Sequence, residues 1–368
     1  MKFMATTVKG LEDIAGKEIE ELGGCFLRLG SERVFFEGNI ELIYKLNLRC
    51  RCLHKLILLL IEGKATSLKE IYEIAKSVDY NFLKNKKFAV RTTRVGSHNY
   101  NSCQISATIG QAILDSFGLE KPKVDLENPD IEIFSYVKDD EVNIGINTTG
   151  ESMHKRNYRV YDHPAALRTT IACGMIKISN WNFKEVFLDP MCGGGTIPIE
   201  AALMARNIPS GIFRKDFAFK KLPFFDENSY KNELEKALKE SNNNLFSIYA
   251  FDISKKHIEG AILNSKSANV YDTINFSVRD ATREESYKGI DAKYIVLNPP
   301  YGIRQSRIKI IEKLYREFFN ALKNSLCGAT IVLITAAYKV LEKLDINYIE
   351  VRDVKHGDLP AKIYKINI

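Results

Sequence analysis

The stretch EVFLDPMCGGGTIPIEAALMARN, residues 185–207, sets the pattern for the second half of the chain. Its apolar run EVFLD reads as a short buried strand that ends on Asp189. Gly193, Gly194 and Gly195 then open TIPIEAALMARN, which reads as a helix. Pro198 falls in that helix's first turn, where its missing N–H costs no hydrogen bond. Glycines permit a tight turn and let a ligand approach the backbone closely. The spacing is neither the dinucleotide GxGxxG nor a P-loop, since no lysine follows. Taken alone, the turn reads equally as a tight strand-to-helix connection.

The same grammar repeats downstream. SIYAFD leads into helix SKKHIEGAILNSKSAN, INFSV into RDAT, and KYIVL into NPPYG. A long helix follows, whose Ile308, Ile311, Leu314, Phe318 and Leu322 predict one core face. Strand ATIVLIT and the hairpin NYIEVRDVKHGDLPAKIYKINI close the chain. Strands alternating with helices predict an α/β fold, a doubly wound and mostly parallel sheet with a C-terminal antiparallel hairpin. Ligands of such sheets sit at the carboxyl ends of the strands. Asp189, Asp252, Asp280 and Asn298 close four consecutive strands there. A carboxylate at Asp252 can accept two hydrogen bonds from a ribose diol; its other reading is a helix cap, for which Ser254 competes. Pro299 and Pro300 cannot continue a ladder and stiffen the turn that carries Asn298 and Tyr301. Each cluster has a plain structural reading, but four in order, each closing a consecutive strand, do not.

Composition narrows the class. The chain has 368 residues, 45% hydrophobic and 27% charged, as in an ordinary globular protein of two or three domains. No apolar run reaches membrane-spanning length and the N-terminus lacks a signal-peptide core, so cytoplasmic residence and no membrane partner are expected. The seven cysteines are scattered and form no CxxC pair, which predicts free thiols and no metal site. Net charge is +7, all of it in residues 166–368, because residues 1–165 hold 23 basic and 23 acidic side chains. Within that neutral part, residues 81–100 carry Lys84, Lys86, Lys87, Arg91 and Arg94, no acidic residue, and interleaved Phe82, Phe88 and Tyr100. A phosphate backbone would suit such a stripe; a solvated strand with its loops reads it equally well. The elements before residue 150 form two small α+β units, and an Arg-rich connector follows at 150–162.

Residues 163–368 resemble the Rossmann-fold methyltransferases that use S-adenosylmethionine. In that family the glycine turn faces the methionine part of the cofactor, matching Asp189, Met191, Cys192, Gly193, Gly194, Gly195 and Thr196 here. The acidic residue after the second strand holds the ribose, matching Asp252 beside Ile253, and that after the third contacts adenine, matching Asp280 beside Ala281. The family's (N/D)PPY motif marks methylation of a planar amino nitrogen, here Asn298, Pro299, Pro300 and Tyr301. The resemblance implies that Asn298 Oδ1 and the Pro299 carbonyl accept the amine's hydrogens while Tyr301 stacks on the base.

The connector GESMHKRNYRVYDHPAALRTT, residues 150–170, is similar to that of methyltransferases carrying an N-terminal THUMP domain, with Met153 and Asn157 as departures. This implies His163, Pro164 and Ala165 beside the cofactor, a ferredoxin-like domain at 1–64, a THUMP domain at 65–149, a linker at 150–165 and the catalytic domain at 166–368. It also implies that tRNA is the partner, gripped at its 3′ end and acceptor stem by Lys84, Lys86, Lys87, Arg91 and Arg94 with Lys155, Arg156 and Arg159, by a chain expected to be monomeric. In the insertion at 207–245, Arg214, Lys215, Lys220 and Lys221 are candidates to touch RNA, and its phenylalanines read as a patch covering a sheet. The expected activity is formation of N2-methylguanosine at tRNA position 6. The alternatives are guanine in large-subunit ribosomal RNA, tRNA guanosine 10, adenine N6 and an RNA-binding protein without catalysis. A nicotinamide oxidoreductase is disfavoured by the glycine spacing.

Overall fold

A computed structural model describes residues 1–302, 308–357 and 359–368 and contains two sheets. The first is built from β1 (Lys2–Thr7), β2 (Cys25–Gly30), β3 (Arg33–Glu37), β4 (Leu53–Lys64), β5 (Lys87–Val95), β6 (Lys123–Val124), β7 (Ile131–Lys138) and β8 (Glu141–Asn147), in the order β2-β3-β1-β4-β8-β7-β5-β6. Leu58 of β4 pairs with Phe3 of β1 on one side and Ile146 of β8 on the other. The two N-terminal units are therefore fused edge to edge through β4.

Helices α1 (Glu12–Glu21), α2 (Leu42–Arg49), α3 (Leu68–Lys76) and α4 (Ser102–Asp115) share one core with Phe3, Phe36, Phe88 and Ile133. Capping boxes start two of them, Ser67 with Glu70 and Asn101 with Gln104. A separate cluster of Met4, Phe35, Ile57, Phe134 and Tyr136 is roofed by cations. The Arg28 guanidinium lies 3.6 Å from the Phe35 ring centre and that of Arg33 lies 4.2 Å from Tyr136.

The second sheet contains β9 (Val186–Asp189), β10 (Ile248–Asp252), β11 (Ile274–Val278), β12 (Ala292–Leu297), β13 (Thr330–Thr335), β14 (Tyr348–His356) and β15 (Leu359–Asn367), in the order β11-β10-β9-β12-β13-β15-β14. The first five are parallel and β15 runs antiparallel to β13. Helices α5 (Thr169–Ser179), α6 (Thr196–Ala205), α7 (Glu227–Lys239), α8 (Lys255–Ser267), α9 (Ile308–Ser325) and α10 (Tyr338–Leu341) complete the chain. The order reverses between β9 and β12, whose neighbours run outward on either side, and this is the point where doubly wound sheets bind ligands.

Three features differ from the sequence expectation. Helix α5 has no polar stripe to betray its period, because only Lys177 escapes full burial. In α9 the core face is Ile311, Tyr315, Phe318 and Leu322, while Ile308 is exposed and Leu314 lines a cavity. Of the insertion at 207–245, Phe213 packs on the second sheet's core, and Phe217, Phe219 and Phe225 on the first's. Phe217 and Phe219 are buried there, with Phe219 edge-on to Tyr44 of α2 at 5.2 Å.

Candidate active site

Because β9, β10 and β12 are parallel neighbours, Asp189, Asp252 and Asn298 emerge on one side of the sheet. They border a cavity of about 320 Å³. Of the residues expected to hold a cofactor, His163, Ala165, Asp189, Met191, Cys192, Gly193, Gly194, Thr196, Asp252, Ile253, Asp280, Ala281 and Asn298 line it. Pro164 and Gly195 do not. Gly195 instead starts α6 with φ +81°, and a Cβ there would come within 2.9 Å of Ala261 in α8. Gly193, at φ +50°, leaves the space that His163 approaches, since its Cβ would stand 3.3 Å from the imidazole Nε2.

The carboxylates divide the work by environment. Asp252 accepts from the Gly193 amide (3.0 Å) and the Ser254 amide (2.9 Å), one on each oxygen, which leaves lone pairs for a diol. Ser254, not Asp252, caps α8. Burial pushes Asp280 up, but the Thr282 hydroxyl and amide and nearby Arg283 outweigh it and hold the carboxyl below its ordinary value. Asp189 is 1% exposed and, among the described residues, its side chain accepts only from the Met191 amide (3.2 Å). Burial pushes its carboxyl well above the ordinary value, the Met191 amide opposes this, and Asp252 adds to it. Among the described residues no basic side chain pairs with Asp189. A buried carboxylate without a cation is the environment that a positively charged ligand would relieve, and the ammonium and sulfonium groups of S-adenosylmethionine fit it.

At the other end, Tyr301 folds back so that its hydroxyl donates to Asn298 Oδ1. Burial pushes the phenol up, so it stays protonated and a donor. The Tyr315 hydroxyl donates to the Pro300 carbonyl (3.3 Å) and pairs with Thr335 Oγ1 (2.8 Å). Sequence reading missed Tyr315, whose spacing marks it only as a core residue. It also missed His356, which lines the cavity edge-on to Tyr301, and His257, 4.3 Å from the His163 ring.

The connector behaves differently from the expectation of an RNA surface. Arg156 is 2% exposed and donates to the Met153 and Arg51 carbonyls, with its Nε 3.5 Å from Glu200 of α6. A cation so enclosed cannot meet a phosphate, so Arg156 leaves the RNA-contacting set. Tyr158 donates to the same carboxylate (3.0 Å), and Arg159 donates to the Thr196 hydroxyl (2.8 Å). Asn264 of α8, also missed, completes the latch. Its Oδ1 accepts from the Val160 and Tyr161 amides and its Nδ2 donates to the Tyr161 and Gly194 carbonyls. The cationic pattern of the connector thus seats His163 against the glycine turn. In the stripe, Lys84 pairs with Glu120 (3.2 Å) and Lys87 with Asp125 (3.1 Å), while Phe88 and Tyr100 are core residues and offer no ring to a base. Lys86 is half-buried, Arg91 and Lys155 are exposed, and Arg94 donates to the Gly96 carbonyl.

Residues 156–362 match the family profile described as RMKL-like, methyltransferase domain, residues 65–147 a THUMP domain, and residues 2–56 the RlmL ferredoxin-like domain. The tRNA (guanine(6)-N2)-methyltransferase of Archaeoglobus fulgidus is 41% identical over 99% of this chain and 91% of its own length. The Methanocaldococcus jannaschii protein of the same name is 38% identical over 100% of both chains. Among solved structures, a "possible methylase" from Clostridium difficile 630 superimposes with TM-score 0.90 at 27% identity over 100% of this chain and 97% of that one. SMU.472, solved complexed with SAH, gives TM-score 0.87 at 26% identity over 100% and 97%. A matched domain profile over more than half of the chain, with full-length relatives at this identity, places the chain in the RMKL-like methyltransferase family, with ferredoxin-like and THUMP domains ahead of the catalytic one.

Proposed function

We propose that this chain is an S-adenosylmethionine-dependent tRNA methyltransferase forming N2-methylguanosine at position 6, in the acceptor stem. The names of the two archaeal relatives support the substrate. The observation that carries the chemistry is the Asn298 amide just past β12, on the border of a cavity that the uncompensated Asp189 at the end of the neighbouring β9 also lines. When bound, the cofactor supplies an electrophilic methyl group on a sulfonium. Asp189 and the glycine turn hold its charged end, Asp252 its ribose, and Asp280 the adenine amine. Asn298 Oδ1 and the Pro299 carbonyl accept the two hydrogens of the guanine amine and turn its lone pair toward the methyl group. This is positioning and electrostatics, and it needs no strong base. The Tyr301 hydroxyl first gives up its bond to Asn298, which frees that ring to stack on a base drawn out of its helix. The protein works as a monomer in the cytoplasm, where its RNA is; among the described residues no helix is long and apolar enough to cross a membrane.

A second reading, guanine N2 in large-subunit ribosomal RNA, is favoured only by relatives such as the methyltransferase K/L of Aliivibrio salmonicida. That protein is 30% identical, and the chain spans 54% of its length. The test is incubation of tRNA transcripts and ribosomal RNA fragments with labelled cofactor, followed by nucleoside mapping. Label in N2-methylguanosine at tRNA position 6 is expected; label only in ribosomal RNA, or in N6-methyladenosine, overturns the assignment. Asn298→Ala is expected to lower turnover about 100-fold or more while SAH binding, read by calorimetry, is mostly kept. Equal loss of both would remove Asn298 from the chemical step.

A further inference from the structure

A second cavity, of about 500 Å³, opens where three parts of the chain meet. Lys9 comes from the end of β1, Arg91 and Tyr136 from β5 and β7 of the THUMP domain, Arg168 from the start of α5, and Lys355 from the turn end of β14. Among the described residues, none of these four cations takes part in an ion pair; Lys9, Arg91 and Lys355 are exposed and Arg168 is half-buried. Two carboxylates also line the space. Glu132 is already used by Lys55 Nζ (3.0 Å) and Asn147 Nδ2 (2.8 Å), which leaves Glu32, among the described lining residues, to face the four cations.

A buried donor points the same way. Tyr136, 3% exposed, lines the cavity and, among the described residues, its hydroxyl has no partner. Buried polar groups normally have partners, and a ligand rich in oxygen acceptors would supply them. The cleft also shares a wall with the methyl-transfer cavity. Arg168 follows Leu167, and Lys355 precedes His356, and Leu167 and His356 both line that cavity. Burial lowers the His356 pKa, and the charge of Arg168 adds to that lowering.

We infer that this cleft holds the ribose-phosphate backbone of the RNA next to the nucleotide being methylated. It moves the RNA footprint inward from the outer stripe, where Lys84 and Lys87 are tied to acidic neighbours. The inference rests on the RNA reading above but not on which nucleotide is modified.

The test uses the full chain and an unmodified tRNA transcript. Lys9→Glu, Arg168→Glu and Lys355→Glu are each expected to weaken RNA binding about tenfold, and to flatten the plot of log affinity against log salt by about 0.7–0.9 per lost phosphate contact. SAH affinity is expected to stay at the wild-type value, and Lys84→Glu to change RNA affinity about twofold or less. Unchanged RNA affinity and salt slope in all three cleft variants overturn the inference, which is also the result if the cleft receives a protein. Should a Glu variant lose SAH binding through misfolding, Arg168→Gln and Lys355→Gln decide the matter by the same readouts. A wild-type chain that binds tRNA through the cleft yet labels no guanosine sinks the proposed function and leaves this inference standing.

Discussion

The Pro300 carbonyl is already engaged, and that decides which oxygen remains for a substrate. Tyr315, 1% exposed, gives its proton to Pro300 and takes one from Thr335, whose oxygen also accepts the Ala337 amide (2.9 Å). The relay ties the NPPY turn to α9 and to the end of β13, and among the described residues no donor takes the Pro299 carbonyl. Tyr315 is thus a positioning residue that acts through the turn. Tyr315→Phe removes two neutral hydrogen bonds, of which the one to Pro300 holds the turn at about 1 kcal/mol net, so kcat is expected to fall roughly fivefold to tenfold with SAH affinity unchanged. Thr335→Ser, which keeps the hydroxyl, is expected to retain the rate. A Tyr315→Phe protein that loses SAH affinity in step with kcat would show general loosening instead of a misplaced turn.

At the scale of elements, the connector is held by a buried acid. Glu200 in α6 is 0% exposed and meets Arg156, the Tyr158 hydroxyl and the Cys173 thiol (3.0 Å). Glu200→Ala strands the Arg156 guanidinium in the interior, which typically costs about 3–5 kcal/mol. The expected outcome is a lower urea midpoint with His163 no longer seated, so that SAH binding weakens too. Replacing both Glu200 and Arg156 by Met is expected to recover most of the stability; no recovery would assign the loss to packing alone. This latch also marks where the sequence stops being legible. The four strand-ending residues Asp189, Asp252, Asp280 and Asn298 are readable because each follows an apolar run and faces a turn. Arg156 and Arg159 are not, because an arginine in a polar connector looks the same whether it faces solvent or is buried against a partner distant in sequence, Glu200 for Arg156 and Thr196 for Arg159. Strand β2 fails for another reason: it is an edge strand, exposed along nearly its whole length, so no inward–outward alternation appears. Fusion of the two N-terminal units through β4 is equally hidden, since the pairing of Leu58 with Ile146 is a long-range choice that no local pattern records.

Over the whole molecule, the joint between the N-terminal sheet and the catalytic domain carries two histidines that the fold keeps neutral. His54, in β4, bonds through Nε2 to the Thr170 hydroxyl of α5 (3.1 Å), and its ring stands 5.6 Å from that of His154 in the connector. Burial, then the charges of His154, Arg168 and Arg156, lowers His54 to about 3. Burial, then Arg168 and Lys155 with their neighbours, lowers His154 to about 4. Both values lie below the ordinary 6.5, so the folded state binds fewer protons than the unfolded one at intermediate pH. Stability from this joint is complete above about pH 6.5 and is lost as pH falls toward 4. For the buried His54 the slope approaches about 1.4 kcal/mol per pH unit. Asp189, pushed up by burial, works in the opposite sense and recovers a little stability on acidification. The urea midpoint is therefore expected to drop steadily from pH 7 to pH 5, well before ordinary carboxylates titrate. His54→Gln, which can keep a bond to Thr170 but takes no proton, is expected to flatten that profile while leaving stability at pH 7.5 close to wild type. If the variant's profile parallels the wild type's between pH 7 and 5, the acid sensitivity lies elsewhere and the joint does not titrate as its burial implies.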